Sequence, residues 1–428
     1  MSEVLYSSMT MPGKDDITRH TYANGVTLLT RPNFSSPAVV VRGYLPVGAI
    51  CDPLNKLGLA SYVASSLMAG TTTNNFEKLN ERVESIGASL SFGSGALSST
   101  FGGQCLNEDL PTLLSLLTEI LGQPSFPDQQ IKRIKAQILT MLDIQAQSTS
   151  DQADITFDQL FYGTHPYALP TEGKPETIHS ISRTDLVGFH QDYYQPSGLV
   201  LSIVGGIDPM ETVRIVGETL GSWQTQASKE QPELPKFVPP TQTQRGHVPL
   251  KGKSQTDLMI GTLAPASMAE DYHIASLGNN ILGMFGMMGR IGESVRERSG
   301  LAYYAQSSLG SGLGPVPWQV VAGVNPDNLD RAIQLIHDEL ERFITEPVTQ
   351  EELDDSRTQM IGRMPLNLES NAGIAQSLLS IERYQLDLDY LRNLPGILNA
   401  ITREDILQVA QNYWKLDRLV ITSSGREL

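Results

Sequence analysis

Seven histidines and two cysteines carry what metal chemistry this chain can offer, and their spacing speaks against it. The histidines are His20, His165, His179, His190, His247, His273 and His337. None falls between His20 and His165, and no two stand at the i, i+4 spacing that lets one helix face present two imidazoles to zinc. Cys51 and Cys105 are far apart and form no metal-ligand spacing. Serine chemistry fares no better, because there is no Gly-x-Ser-x-Gly elbow and no local Ser, His and Asp constellation.

A second group stands in residues 280–303, NILGMFGMMGRIGESVRERSGLAY. Gly300 is placed to cap a helix carrying Arg296, and a strand then starts near Tyr303. A guanidinium at a helix end and a phenol at a strand start can converge on one point. On these residues alone the plainer alternatives weigh more. Arg296 would pair with Glu293 or Glu297, and Tyr303 would pack in a core, with Leu301, Tyr303 and Ala305 alternating on one strand face. Gly283, Gly286 and Gly289 do not make a phosphate loop, since no strand, GxGxxG and helix follow in order and no P-loop Lys is present. They suit close backbone approach or a mobile substrate gate. The Met287–Met288 pair reads as core.

These residues need elements to hold them. Strands are expected at 26–30, 38–45, 89–92, 98–104 and 256–263, and helices at about 56–69, 75–87, 108–121 and 127–147. Strands first and then runs of helices indicate an α+β fold. Residues 181–205 and 401–425 align without a gap at an offset of 220, with eight identities that include Arg183/Arg403, Asp185/Asp405, Tyr193/Tyr413 and Gly205/Gly425. Both copies read as a helix capped by Ser182 or Thr402, followed by a strand ending in Gly. The chain is therefore read as two homologous α+β domains related by internal duplication. Domain one is placed at 15–223 and domain two at 248–428. Between them 224–247 is a linker, marked by four prolines and many Gln, Thr and Ser.

Composition sets outer limits. The chain has 428 residues, 40% of them hydrophobic, enough for sizeable cores. A net charge of −16 argues against nucleic acid as a partner and is read first as solubility. No apolar run reaches the ~18 residues of a membrane span. Two unpaired cysteines and an N-terminus without a signal-like pattern lead to a reduced, cytoplasmic setting as the expectation.

Residues 58–72, GLASYVASSLMAGTT, resemble the metal-binding helix of the insulinase (pitrilysin) zinc metallopeptidases, which carries an inverted His-x-x-Glu-His motif. In that alignment Ser61 and Ser65 stand at the two His positions, Ala64 at the general-base Glu, and Leu142 at the third ligand. Asp143 is one residue away, which turns its side chain ~100° around a helix. The resemblance continues through Gly-Thr-His-Pro-Tyr at 163–167, read as a structural turn, and is strong again at 294–306. It implies that this chain is a non-metal subunit with no cofactor of its own, like the alpha subunit of mitochondrial processing peptidase and small bacterial two-chain members. Its partner would be a zinc-bearing insulinase-type subunit, and its substrates unfolded peptides. Arg296 and Tyr303 would hold the substrate carbonyl and stabilise the oxyanion in trans. The alternatives are a purely structural subunit and a peptide-binding homodimer, so whether the chain takes part in catalysis is left open by the sequence.

Overall fold

The computed structural model describes residues 11–227, 229–285 and 289–427. The first half of the chain contributes β1 (Thr18–Thr21), β2 (Thr27–Pro32), β3 (Ala38–Leu45), β4 (Ser89–Ser94), β5 (Ser99–Leu106) and β6 (Val200–Gly205). Its helices are α1 (Leu59–Ser66), α2 (Phe76–Glu84), α3 (Leu110–Gly122), α4 (Asp128–Ala146), α5 (Thr149–Tyr162), α6 (Pro175–Ser180), α7 (Arg183–Tyr193) and α8 (Pro209–Glu218). The second half contributes β7 (Gln244–Pro249), β8 (Thr256–Leu263), β9 (Ala302–Leu309), β10 (Pro317–Val324) and β11 (Val420–Gly425). Its helices are α9 (Tyr272–Gly283), α10 (Gly289–Ile291), α11 (Leu329–Thr345), α12 (Gln350–Asn367), α13 (Asn371–Arg383), α14 (Tyr390–Ala400) and α15 (Arg403–Tyr413). The mixed α+β class expected from the sequence is what is found.

The two sheets carry the duplication. One has the order β1-β2-β6-β3-β5-β4, the other β7-β11-β8-β10-β9. Setting β1 aside, the strands correspond in order, and so do their directions. The β2–β6 and β7–β11 pairs are parallel, and every other neighbour is antiparallel. The repeated segment explains the match at residue level. Ser182 and Asp185 cap α7 reciprocally, and Thr402 and Asp405 do the same for α15. Each helix leads into a strand buried at all six positions, β6 or β11.

The compact units are not contiguous in sequence. One runs through Leu142 and adds Pro170–Glu233 and Pro365–Arg392; the other holds Asp143–Leu169, Leu234–Met364 and the stretch from Asn393 onward. So α5 is supplied by the first half of the chain but packs in the second unit, where Phe157 and Phe161 cluster with Met259 and Val420. Helix α13 does the converse, and its Ile374, Leu378 and Leu379 pack on Leu29, Val200 and Val204 of the first unit. The expected linker also ends earlier than residue 247, because Gln244–Pro249 forms β7. That strand pairs on one side only, with β11, so it tolerates Gly246 and Pro249 and shows no buried alternation.

Candidate functional site

Helix α1 sits where a metal helix would be needed, and its residues do other work. Asp52 caps it: Oδ2 accepts the N–H groups of Gly58 and Leu59 at 2.8 and 3.1 Å, and Oδ1 accepts that of Ala60 at 2.8 Å. Burial pushes the Asp52 carboxyl up to about 7, against the three N–H bonds that favour its ionised form. Ser61 is buried and donates its hydroxyl to Glu172 Oε2 at 2.6 Å. Ala64 is 2% exposed. Ser65 faces solvent, and Leu142 packs in the core with Ile131, Ile134 and Ile138.

A zinc ion does not fit this set. One hydroxyl is already engaged, one side chain is a buried methyl, one is a lone exposed hydroxyl and one is a core leucine. Among the described residues, one group of three potential ligands lies close together, His337, Asp338 and Glu341 on α11. It lies outside both segments singled out from sequence, and its two carboxylates are exposed. His165 is a structural turn, as its segment suggests: its Nδ1 accepts the Tyr167 N–H at 3.2 Å, and the ring is buried.

The Arg296 and Tyr303 region has an uncommon backbone. After α10 the chain continues as a π-helical segment, Gly292–Arg298. Such windings are rare and concentrate at functional sites. Gly300 ends it at φ +64, as the sequence predicts for a cap, donating its N–H to the Arg296 carbonyl at 2.9 Å. Leu301 then donates to the Val295 carbonyl at 3.0 Å. Strand β9 follows directly, but the simple alternation expected over Leu301, Tyr303 and Ala305 is broken. Tyr304 pairs with Gly323 and Ala302 with Val324, so Tyr303 stands unopposed in a β-bulge. Leu301 and Ala305 are buried while Tyr303 is 64% exposed. Core packing therefore does not account for Tyr303.

The ion pairs sort the neighbouring arginines. Arg298 takes Glu293, at 2.8 Å, whereas among the described residues Arg296 has Glu297 as its one ion-pair partner, at 3.6 Å, and keeps 35% of its side chain exposed. Beside the π segment lies a cavity of about 350 Å³, bordered by Glu293, Glu297, Glu351 and Asp355. Arg290, at its inner wall, is buried and gripped by Glu352 through two bonds of 2.6 and 2.7 Å.

Two of the three glycines act in packing. A Cβ on Gly283 would lie 2.3 Å from the Ser307 nitrogen on β9, and one on Gly289 would lie 2.4 Å from the Ile281 oxygen. Gly289 also sits at φ +61, where side chains are disfavoured. Gly286 and the Met287–Met288 pair lie outside the described residues. Glu172 and Asp52 were not singled out from sequence. Nothing local marks Glu172, since its partner Ser61 is 111 residues away.

Two family descriptions match consecutive stretches of the chain. Residues 28–170 match "Insulinase (Peptidase family M16)", and residues 180–360 match "Peptidase M16 inactive domain". The chain belongs to the M16, or insulinase, peptidase family, and it lacks that family's zinc motif. Among curated relatives, the uncharacterized zinc protease YmxG of Bacillus subtilis is 23% identical over 354 residues, covering 83% of this chain and 85% of that protein. An uncharacterized zinc protease of Rickettsia bellii is 24% identical over 408 residues, covering 94% and 93%. Among solved structures, a peptidase M16 inactive domain from Pseudomonas fluorescens superposes with a TM-score of 0.89 at 25% identity, covering 96% of this chain and 98% of that one. A protease from Helicobacter pylori gives the same TM-score, 0.89, at 19% identity, which speaks to the fold.

Proposed function

We propose that this M16 chain is the non-metal subunit of a two-chain zinc peptidase. In this reading a zinc-bearing M16 partner provides the metal and the carboxylate base. This chain provides Arg296 and Tyr303 as donors to the substrate carbonyl, and one side of the chamber that takes unfolded peptide.

The observation that carries the reading is the exposed Tyr303, held out of the sheet by a bulge and preceded by a π-helical turn carrying a weakly paired Arg296. A phenol that served packing would not be left 64% exposed. Donors fixed in advance at a developing oxyanion need no reorganisation during the reaction, and one such donor is typically worth about 3 kcal/mol. The relatives described as zinc proteases support a peptidase setting. The carboxylates around the neighbouring cavity support basic or polar peptide segments as ligands. A gate at the Gly283, Gly286 and Gly289 turn belongs to the same proposal. Gly283 and Gly289 are themselves closely packed, against Ser307 and Ile281.

Mixing tests the reading. The purified chain should cleave no peptide alone and should raise the activity of a zinc-bearing M16 subunit from the same organism when the two co-purify. A partner that is fully active alone and unchanged by this chain would refute it and leave a structural subunit or peptide-binding homodimer.

A further inference from the structure

We infer that Tyr304 and Asp257 form a clamp across β10 that holds Tyr303 out of the sheet, making both of them positioning residues for the phenol. The inference rests on the proposed role of Tyr303 for its functional consequence; its structural part stands alone.

The geometry lies in one row across three strands. Asp257 on β8 pairs with Gly323 on β10, and Gly323 pairs with Tyr304 on β9. The middle residue has no side chain, so the Tyr304 ring lies over it and reaches the far strand. Its hydroxyl donates to Asp257 Oδ1 at 2.5 Å. A Cβ on residue 323 would stand 2.4 Å from the Tyr304 ring and 2.7 Å from Gln255 Nε2, so glycine is required while the ring stays there. Asp257 is itself fixed, since Gln255 Nε2 donates to Oδ1 at 2.8 Å and the Thr149 hydroxyl donates to Oδ2. Asp257 is 4% exposed, and its carboxylate is held by three donors. A buried, fully satisfied network of this kind specifies one arrangement.

The clamp sits beside the bulge. Tyr304 is the first residue of β9 in the regular register, and the shift falls between Gly323 and Val324. On the other side the chain is tied by Gly300 and Leu301 to the π-helical segment. With both flanks fixed and one residue too many between them, Tyr303 has no place opposite β10 and is expelled to solvent. Without the clamp β9 is free to slip by one residue, which would set Tyr303 opposite Gly323 and send residue 304 to the other face.

The test uses Tyr304→Phe, which keeps the ring, and Gly323→Ala, which displaces it. The first measurement is nitration of Tyr303 by tetranitromethane in the isolated, folded chain, followed by peptide mapping. Both variants should slow Tyr303 nitration at least several-fold relative to the parent. Unchanged nitration in both would overturn the clamp, whatever Tyr303 does in catalysis. The second measurement is a double-mutant cycle in the reconstituted pair. Tyr304→Phe should lower kcat about 10-fold with KM nearly unchanged, measured well below its own reduced melting temperature, and it should cost nothing further in a Tyr303→Phe background. Losses that multiply independently, or no loss in Tyr304→Phe while Tyr303→Phe is impaired, would overturn the positioning role and leave the proposed function standing. A silent Tyr303→Phe would instead remove the proposed function, and the nitration result would still decide the clamp.

Discussion

Ser61, which the sequence resemblance aligns with a metal-binding His, donates its hydroxyl to Glu172 Oε2 at 2.6 Å. The bond turns a potential ligand site into a buried structural contact. With Ala64 and Leu142 buried around it, α1 is held by Asp52 at its start and by core packing along its length.

The first expected outcome concerns metal. The purified chain should bind no stoichiometric zinc in metal analysis after dialysis, and it should show no peptidase activity alone. One tightly held zinc per chain would contradict this.

Restoring the motif should not restore the site. The triple change Ser61→His, Ala64→Glu and Ser65→His supplies three groups but leaves Leu142 in the core. Ala64→Glu also places a carboxylate where the side chain is almost fully buried, a change expected to cost about 3 kcal/mol. The variant should melt well below the parent and still fail to hold zinc through gel filtration. Calorimetry and metal analysis on the same sample check both halves.

Much of this was legible in the sequence because it is written locally. Apolar runs bounded by turn residues give β3 and β8 to the residue, and the capping boxes at Ser182 and Thr402 mark α7 and α15. The lost motif is also mostly local, since Ser61, Ala64 and Ser65 stand together in one short stretch. What escaped depends on pairings between distant residues. Strand β7 exists because β11 offers it a parallel edge. Helices α5 and α13 follow one half of the sequence but find their apolar partners among residues of the other half. The bulge at Tyr303 depends on how β9 meets β10, where Gly323, Tyr304 and Asp257 come from three separate strands. Regular alternation, the default for an isolated strand, put Tyr303 on the wrong face.

Histidine burial gives a pH dependence. His190 is buried, its Nε2 lies 2.8 Å from the Leu121 carbonyl, and burial holds its pKa below the ordinary value. The unfolded chain takes up a proton near pH ~6.5 that the folded core resists. The stability this group contributes is therefore present above that pH and is lost as pH falls below it. Melting temperature should drop between pH 7 and 5, and His190→Gln should flatten part of the drop. Parallel melting curves for the two proteins would expose the error if their pH slopes match.

The two neighbouring arginines should behave differently. Arg298 is engaged with Glu293, so Arg298→Ala should be mild, as for a surface ion pair worth less than about 1 kcal/mol. Arg296→Ala should lower kcat of the reconstituted pair and raise KM somewhat, because a charged donor also holds ground-state substrate. Equal effects in steady-state kinetics would remove the distinction drawn between them.

The most direct test of the central claim is kcat of the reconstituted pair with Tyr303→Phe in this chain. The substitution removes only a hydroxyl from an exposed ring, so fold and assembly should be untouched. If Tyr303 stabilises the oxyanion, kcat should fall by about 10²-fold with KM nearly unchanged. Full activity in Tyr303→Phe, with normal assembly, would contradict the claim that this chain completes its partner's active site.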